Sequence, residues 1–579
     1  MRLDETQFRT QSVGNCRIGF LCFRFWGMIA QPLLGRTIVS PRAREVGLRI
    51  FAILFIFTLF LGGIQLRRWI GENTRHVRYQ HDIVNAFYWG QETLKEARRL
   101  SPDNASADSW TGLFRGYLAL YDRVKEKAYK NDYGLDYPPL RLLTMAIWSK
   151  QVRDEFPWID NEHPKLVNPL LKINLICELI SAAAIFFLVR LCVRRSAHAP
   201  STWPAWLSRE ERASICGLAA ASVAWLEPSM ILDGHGWPQW DAWILPFYLI
   251  AALAALKNRW LWCGCLLVLG AMLKGQLLFV APFFVLWPLW QKRWMSVLRV
   301  LAGFTATAAL IVSPWLLRTS EAWVVFGAVA GASFFVAWLY ELPHKGTWLP
   351  AVLGAAAFVI GALTGGSFAW FEIGFLYGTK HYPYLFISSC YNFPCLLAAA
   401  GWSLKNDLLS ARVGSVHFHL TLQWALRLLF LGAVALTARG AARHLRNRDP
   451  RVLIAITGPW LLMFALLAQM HERYLVWGAV VSAVALGVNI RLSIIHFIIS
   501  AASTAMIVHV MLVDKKVDAT LRAIDVLHGI RPYGSVLVLA CVAVYFWDAL
   551  GWRIPAFRRE ALKTAAAPSL SLGGEPEEA

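Results

Sequence analysis

Apolar runs long enough to cross a lipid bilayer recur along this chain, and they constrain its fold more than any other feature. A spanning segment needs about 20 mainly apolar residues, and it must be helical because hydrocarbon offers the backbone no hydrogen-bond partner. Such runs fall near residues 50–65, 170–189, 213–231, 242–256, 260–273, 276–290, 299–316, 323–340, 348–365, 419–436, 452–468, 475–489, 493–513 and 534–549. The expected fold is therefore an all-α polytopic membrane protein, a bundle of about fourteen transmembrane helices. Composition agrees, since of 579 residues 57% are apolar and 16% charged. These values argue against a soluble enzyme, a nucleic-acid binder and a disordered chain. The net charge of +20 does not imply nucleic acid, because Lys and Arg cluster between the apolar runs and report orientation instead.

Arg42, Arg44 and Arg49 precede the first run and put the N-terminus in the cytoplasm, against a weaker opposing signal from Arg67 and Arg68. Counting alternately, the turns holding Arg194 and Arg195, Lys257 and Arg259, Lys292 and Arg293, and Arg439 to Arg451 are cytoplasmic. The expected organisation is a cytoplasmic segment over 1–48, the first transmembrane helix with a large outer loop over 49–168, and a transmembrane core over 169–490. Transmembrane helices follow over 491–549, then a cytoplasmic, largely disordered tail over 550–579. Residues 366–418, whose apolar part is broken by Pro394, read equally as a loop or a re-entrant segment. Most of the ten cysteines lie within apolar spans, which supports neither a disulfide framework nor a zinc site, although Cys390 and Cys395 could pair. No nucleotide-binding domain is visible, which argues against a primary pump.

The alternation puts four polar clusters on the outer face. The long loop opens with Tyr79-Gln-His-Asp82 ahead of aromatic and apolar residues at helical spacing, and later carries Asp136-Tyr-Pro-Pro-Leu-Arg141. Helix capping is the competing reading for Asp82 and Asp136. The turn Asp233-Gly-His235-Gly-Trp-Pro-Gln239-Trp-Asp241 crowds two carboxylates, a His and two Trp between two spans. It suits sugar hydroxyls or a metal, or an interfacial aromatic belt with capping aspartates. Lys274 ends a span and could simply snorkel. His471-Glu472-Arg473 sets three ionisable residues between apolar spans, at a cost of up to about 3 kcal/mol for a charge reaching the helix centre. Glu178 raises the same question with no visible partner.

Five of these features, in order, carry a resemblance: Asp136-Tyr-Pro-Pro-Leu, Gly236-Trp-Pro-Gln-Trp-Asp241, Leu273-Lys-Gly-Gln276, Tyr382-Pro-Tyr-Leu with Tyr391-Asn-Phe, and His471-Glu-Arg-Tyr474. Together they resemble the GT-C glycosyltransferases, in particular bacterial mannosyltransferases related to the second mannosyltransferase of GPI-anchor synthesis. The resemblance spans roughly residues 75–480. It departs at Pro238 and Gly275, where the family has Gly and Pro, and it lacks an Asp-x-Asp. It implies a transferase in a membrane, the bacterial inner membrane being favoured, with its site on the non-cytoplasmic face. The donor would be a polyprenyl-phosphate-linked sugar, mannose favoured, and the acceptor a glycan or glycolipid. By this resemblance Asp82 is the catalytic base, and Asp136, Asp233, His235, Gln239, Asp241, Lys274, His471, Glu472 and Arg473 bind substrate. Arg473 is expected as the bidentate phosphate cation, with His471 as donor, Glu472 as orienting partner and Lys274 as second cation. No cofactor and no metal ligands are assigned, and divalent-metal dependence stays open. The competing functional class is a transporter or flippase for a lipid-linked sugar.

Overall fold

The computed structural model describes residues 41–74, 81–126, 135–158, 163–196, 208–342, 344–381, 384, 389–515 and 521–552. Most of the 1–48 segment, the 553–579 part of the tail, Tyr79 and Gln80 at the loop opening, and Tyr382, Pro383 and Leu385 of the fourth motif lie outside these residues.

Among the described residues nine helices are long and apolar enough to cross a membrane, and the chain is a multi-pass membrane protein. Four shorter apolar helices accompany them, Asp241–Leu256, Trp260–Leu273, Leu277–Trp290 and Val452–Leu466. The expected span at 475–489 is instead an α-helix over Leu475–Ser482 running into a 3-10 turn over Ala483–Gly487. These residues are buried on nearly all sides, so their apolar run reports a protein core rather than lipid contact.

The first helix runs over Pro41–Asn73, well beyond the expected 50–65. Ile53, Leu54, Phe55, Ile56 and Phe57 point outward from it, as side chains against lipid do. The segment after it is more than a linker. His81–Leu100, Trp110–Glu126 and Pro139–Glu155 are helices that pack on one another. Tyr117 Oη donates to the Pro139 carbonyl at 3.1 Å, Ser149 Oγ to the Phe87 carbonyl at 2.9 Å, and Trp148 Nε1 to the Leu166 carbonyl at 2.8 Å. Tyr117 and Tyr121 also pack in T-shaped contacts with Trp315, which seats this layer on the end of the Trp294–Leu316 helix.

Residues 366–421 resolve into short helices at Ala369–Gly374, Tyr377–His381 and Phe393–Ala399, then an antiparallel hairpin of Asp407–Val413 with Val416–Thr421. The hairpin is a small exception to the all-α expectation. It turns at Gly414, whose φ of +64° suits glycine, and it delays the next helix to Leu422. Cys390 and Cys395 are free thiols, so the pairing open from sequence does not form.

Candidate functional site

The 233–241 turn cannot continue a helix through Gly234, Gly236 and Pro238, so it winds as a π turn over Leu232–Gly236 before a 3-10 turn over Asp241–Ile244. Asn174, from the Asn168–Arg195 helix, fixes its shape. Its Nδ2 donates to the carbonyls of Gly234 at 2.8 Å and Gln239 at 2.6 Å, and its Oδ1 accepts from Trp243 Nε1 at 2.7 Å. A Cβ at Gly234 would sit 2.6 Å from Glu178 Oε1, so a side chain there would push that carboxylate off His235.

Around this turn a chain of alternating charges forms from four separate stretches. Lys274, at the extended end of the Trp260–Leu273 helix, is ion-paired with Asp241 Oδ1. Arg473 Nε lies 3.2 Å from Asp241 Oδ2, and Arg473 Nη1 donates to Asp82 Oδ2 at 3.2 Å. Asp82 sits in the first turn of the His81–Leu100 helix, and its long-range ion pair is more than a cap would explain. Aromatic rings line the chain. Lys274 Nζ is 4.7 Å from the Tyr474 ring centre and 4.9 Å from that of Trp477, and Arg473 lies 5.3 Å from Trp237. Trp477 Nε1 donates to the Asp241 carbonyl at 2.8 Å, locking the turn to the next helix. Lys274 is 5% exposed, so it does not snorkel, and burial draws its ammonium down to about 8 against the pull of Asp241.

Arg141, which the sequence reading left without a role, belongs to the same region. Pro138 and Pro139 force an extended entry into its helix, and its guanidinium sits 4.2 Å from the Tyr137 ring centre and 3.8 Å from that of Trp240. It is 2% exposed, and burial lowers its pKa to about 10, so it stays charged at neutral pH. Among the described residues neither Nε nor Nη2 has a hydrogen-bond partner. Both side-chain atoms of buried Gln239 and both carboxylate oxygens of buried Asp233 also go unbonded there. Buried polar groups are almost always satisfied, so these three residues around one turn are available to water or to a polar ligand. The sequence signal for Arg141 was a lone cation at the start of an apolar helix.

Of the other expected residues, His235 and Glu472 bond away from this group, while His471 and Asp136 stay near its charges. His235 turns the opposite way, with Nε2 3.1 Å from Glu178 Oε1, while Arg67 Nε donates to Glu178 Oε2 at 2.5 Å. Glu178 therefore has two partners, and all three groups are buried. Glu472 accepts from Ser389 Oγ at 3.3 Å rather than orienting Arg473, and burial raises its carboxyl. His471 packs on Tyr474, and burial with Arg473 and Lys274 nearby pushes its imidazole well below the usual range, so it is neutral. Asp136 is raised by its surroundings and by Asp82, with Arg141 opposing. Among the described residues no three His, Cys, Asp or Glu side chains converge as metal ligands do.

No known family model matches the chain, and neither does any curated protein sequence.

Proposed function

We propose that this protein is an integral membrane glycosyltransferase that moves a hexose, mannose favoured, from a polyprenyl-phosphate donor to a hydroxyl of a glycan or glycolipid acceptor on the non-cytoplasmic side. The observation that carries the reading is the meeting of Asp82 with Arg473, Asp241 and Lys274 beside the unspent guanidinium of Arg141. The GT-C resemblance of the five motifs, to which Asp241, Lys274 and Arg473 belong, also supports it.

In this reading the acceptor hydroxyl oxygen attacks the anomeric carbon as the bond to the lipid phosphate breaks. The bonding pair leaves on the phosphate oxygen, and Asp82 takes the hydroxyl proton. Asp82 suits the role because its side chain is 26% exposed at the rim, whereas Asp241 is enclosed and spent on two cations. A lipid phosphate leaves readily, so one base and fixed cations suffice, and a single displacement inverts the anomeric centre. Arg473 bridges two carboxylates and acts by positioning Asp82, while Arg141 and Lys274 hold the phosphate as its charge grows. Asp233 and Gln239 offer acceptors and donors to sugar hydroxyls, with Trp faces alongside.

The deciding experiment reconstitutes the full chain in vesicles with a short-chain polyprenyl-phosphate-mannose and a glycolipid extract, then follows labelled sugar into product. Transfer abolished by Asp82→Asn is the expected result. Donor crossing the bilayer without any transfer would replace the transferase with the transporter.

A further inference from the structure

A second polar site lies at the far end of the bundle. Asn174 grips the 233–241 turn, and Arg195 follows on the same helix 21 residues later, about 30 Å away at 1.5 Å per residue. There a cavity of about 630 Å³ opens among helix ends. Its wall carries Arg194 and Arg195 from the end of that helix, Arg209 from the start of Arg209–Trp225, Arg293 from the turn before Trp294–Leu316, and Arg448 from the loop after Leu422–Arg446.

The positive-inside rule explains why arginines abound at one membrane face, but not why four separate stretches aim them into one concavity. These arginines are exposed, so water screens part of their repulsion, and a bound anion would relieve the rest. Two carboxylates come close, Asp449 on the wall itself and Glu210 beside Arg194, and the five arginines outnumber them. Asp449 is shared with Arg451 Nη2 at 2.6 Å and His444 Nδ1 at 3.3 Å, and Glu210 is shared between Arg190 and Arg194, the latter at 3.7 Å. Three of the arginines are held by neutral acceptors: Arg195 by the Leu256 carbonyl at 3.1 Å, Arg209 by the Ser196 carbonyl, and Arg293 by Asn258 Oδ1 at 2.8 Å. Such contacts orient a guanidinium without neutralising it. Leu191, Leu256 and Val452 supply an apolar wall beside the charges.

We infer that this cavity binds a phosphate-bearing anion, an assignment independent of the transferase reading. Guanidinium forks match phosphate oxygens two at a time, and basic pockets between transmembrane helices recognise phospholipid headgroups in this way. A soluble polyphosphate offers the same chemistry.

The test uses the full chain, delipidated in detergent, with native mass spectrometry and melting temperature as readouts. The probes are phosphatidylglycerol, phosphatidylcholine and inorganic pyrophosphate. Retention of phosphatidylglycerol over phosphatidylcholine identifies a lipid headgroup, and saturable pyrophosphate binding identifies a soluble ligand; either supports the site. The double variant Arg293→Gln, Arg448→Gln should weaken that binding about 10-fold or more. Arg98→Gln with Arg115→Gln removes equal charge from distant exposed positions and should leave it unchanged. Where the glutamine variant folds poorly, Arg293→Lys with Arg448→Lys keeps the charge but loses the fork, and intermediate binding is expected. Equal losses in the cavity and distant variants, or no preference for either phosphate probe over phosphatidylcholine, would overturn the inference.

Discussion

Replacing Arg141 by methionine separates a ligand-binding cation from a structural one. A buried charge that holds the fold together costs about 3–5 kcal/mol when removed. Arg141 is different, because its Nε and Nη2 have no hydrogen-bond partner among the described residues. Each such group, where it also meets no water, carries a desolvation cost of about 1–3 kcal/mol, so Arg141→Met relieves at most roughly 6 kcal/mol. Against this stand its contacts with the Tyr137 and Trp240 rings at 4.2 and 3.8 Å, worth roughly 0.5–2 kcal/mol each. Asp241 keeps Lys274 and Arg473 as partners. The net change in stability is therefore near zero or favourable. Activity should move the other way, with kcat/KM for the lipid-phosphate donor falling about 100-fold, near 2.7 kcal/mol of transition-state stabilisation. The assay pairs sugar transfer in vesicles with melting temperature in detergent. A variant that melts far lower, with transfer lost only in proportion to the unfolded fraction, would refute the reasoning.

Asp82→Asn should lower turnover at least 100-fold yet leave melting nearly unchanged, since the ion pair it breaks is partly exposed and contributes about 1 kcal/mol or less; full activity in this variant would move the base to another carboxylate. Lys274 titrates near 8 when folded against 10.5 unfolded, so its charge, and with it donor affinity, should fade as pH rises through about 8. The same depressed value means the unfolded chain binds more protons between about pH 8 and 10.5, so this group's contribution to stability rises with pH across that window. Lys274→Arg should shift the loss of donor affinity to higher pH, and an unmoved profile would remove Lys274 from the phosphate. Glu178→Gln should destabilise the fold by several kcal/mol, because Arg67 would be left buried and unpaired, while transfer per folded molecule stays near wild type; a large loss of turnover without loss of stability would return this triad to the site.

The membrane character, most helix positions and the residues of the charge chain were legible in the sequence because each rests on local pattern. A bilayer-length apolar run needs no partner to be recognised, and an ionisable residue between two such runs announces its cost wherever it folds. Even there the pattern had a limit. Residues 475–487 are as apolar as a span but form a short buried helix, since periodicity cannot tell lipid from protein as the apolar surroundings.

Pairing was beyond local pattern. Nothing near Glu178 in sequence points to Arg67 and His235, and nothing near Arg473 tells a phosphate clamp from a bridge between Asp82 and Asp241. A charge's role depends on which opposite charges lie within a few ångströms, and those come from stretches 33 to 391 residues apart. Arg141 makes the point most sharply, because its Nε and Nη2 have no hydrogen-bond partner among the described residues, which only a folded chain can reveal. The sequence by itself determined a helical membrane protein and the residues able to do chemistry. The tertiary structure decided which of those charges neutralise one another and which remain unspent, because electrostatic pairing is set by distance in space and burial, and neither is encoded by position along the chain.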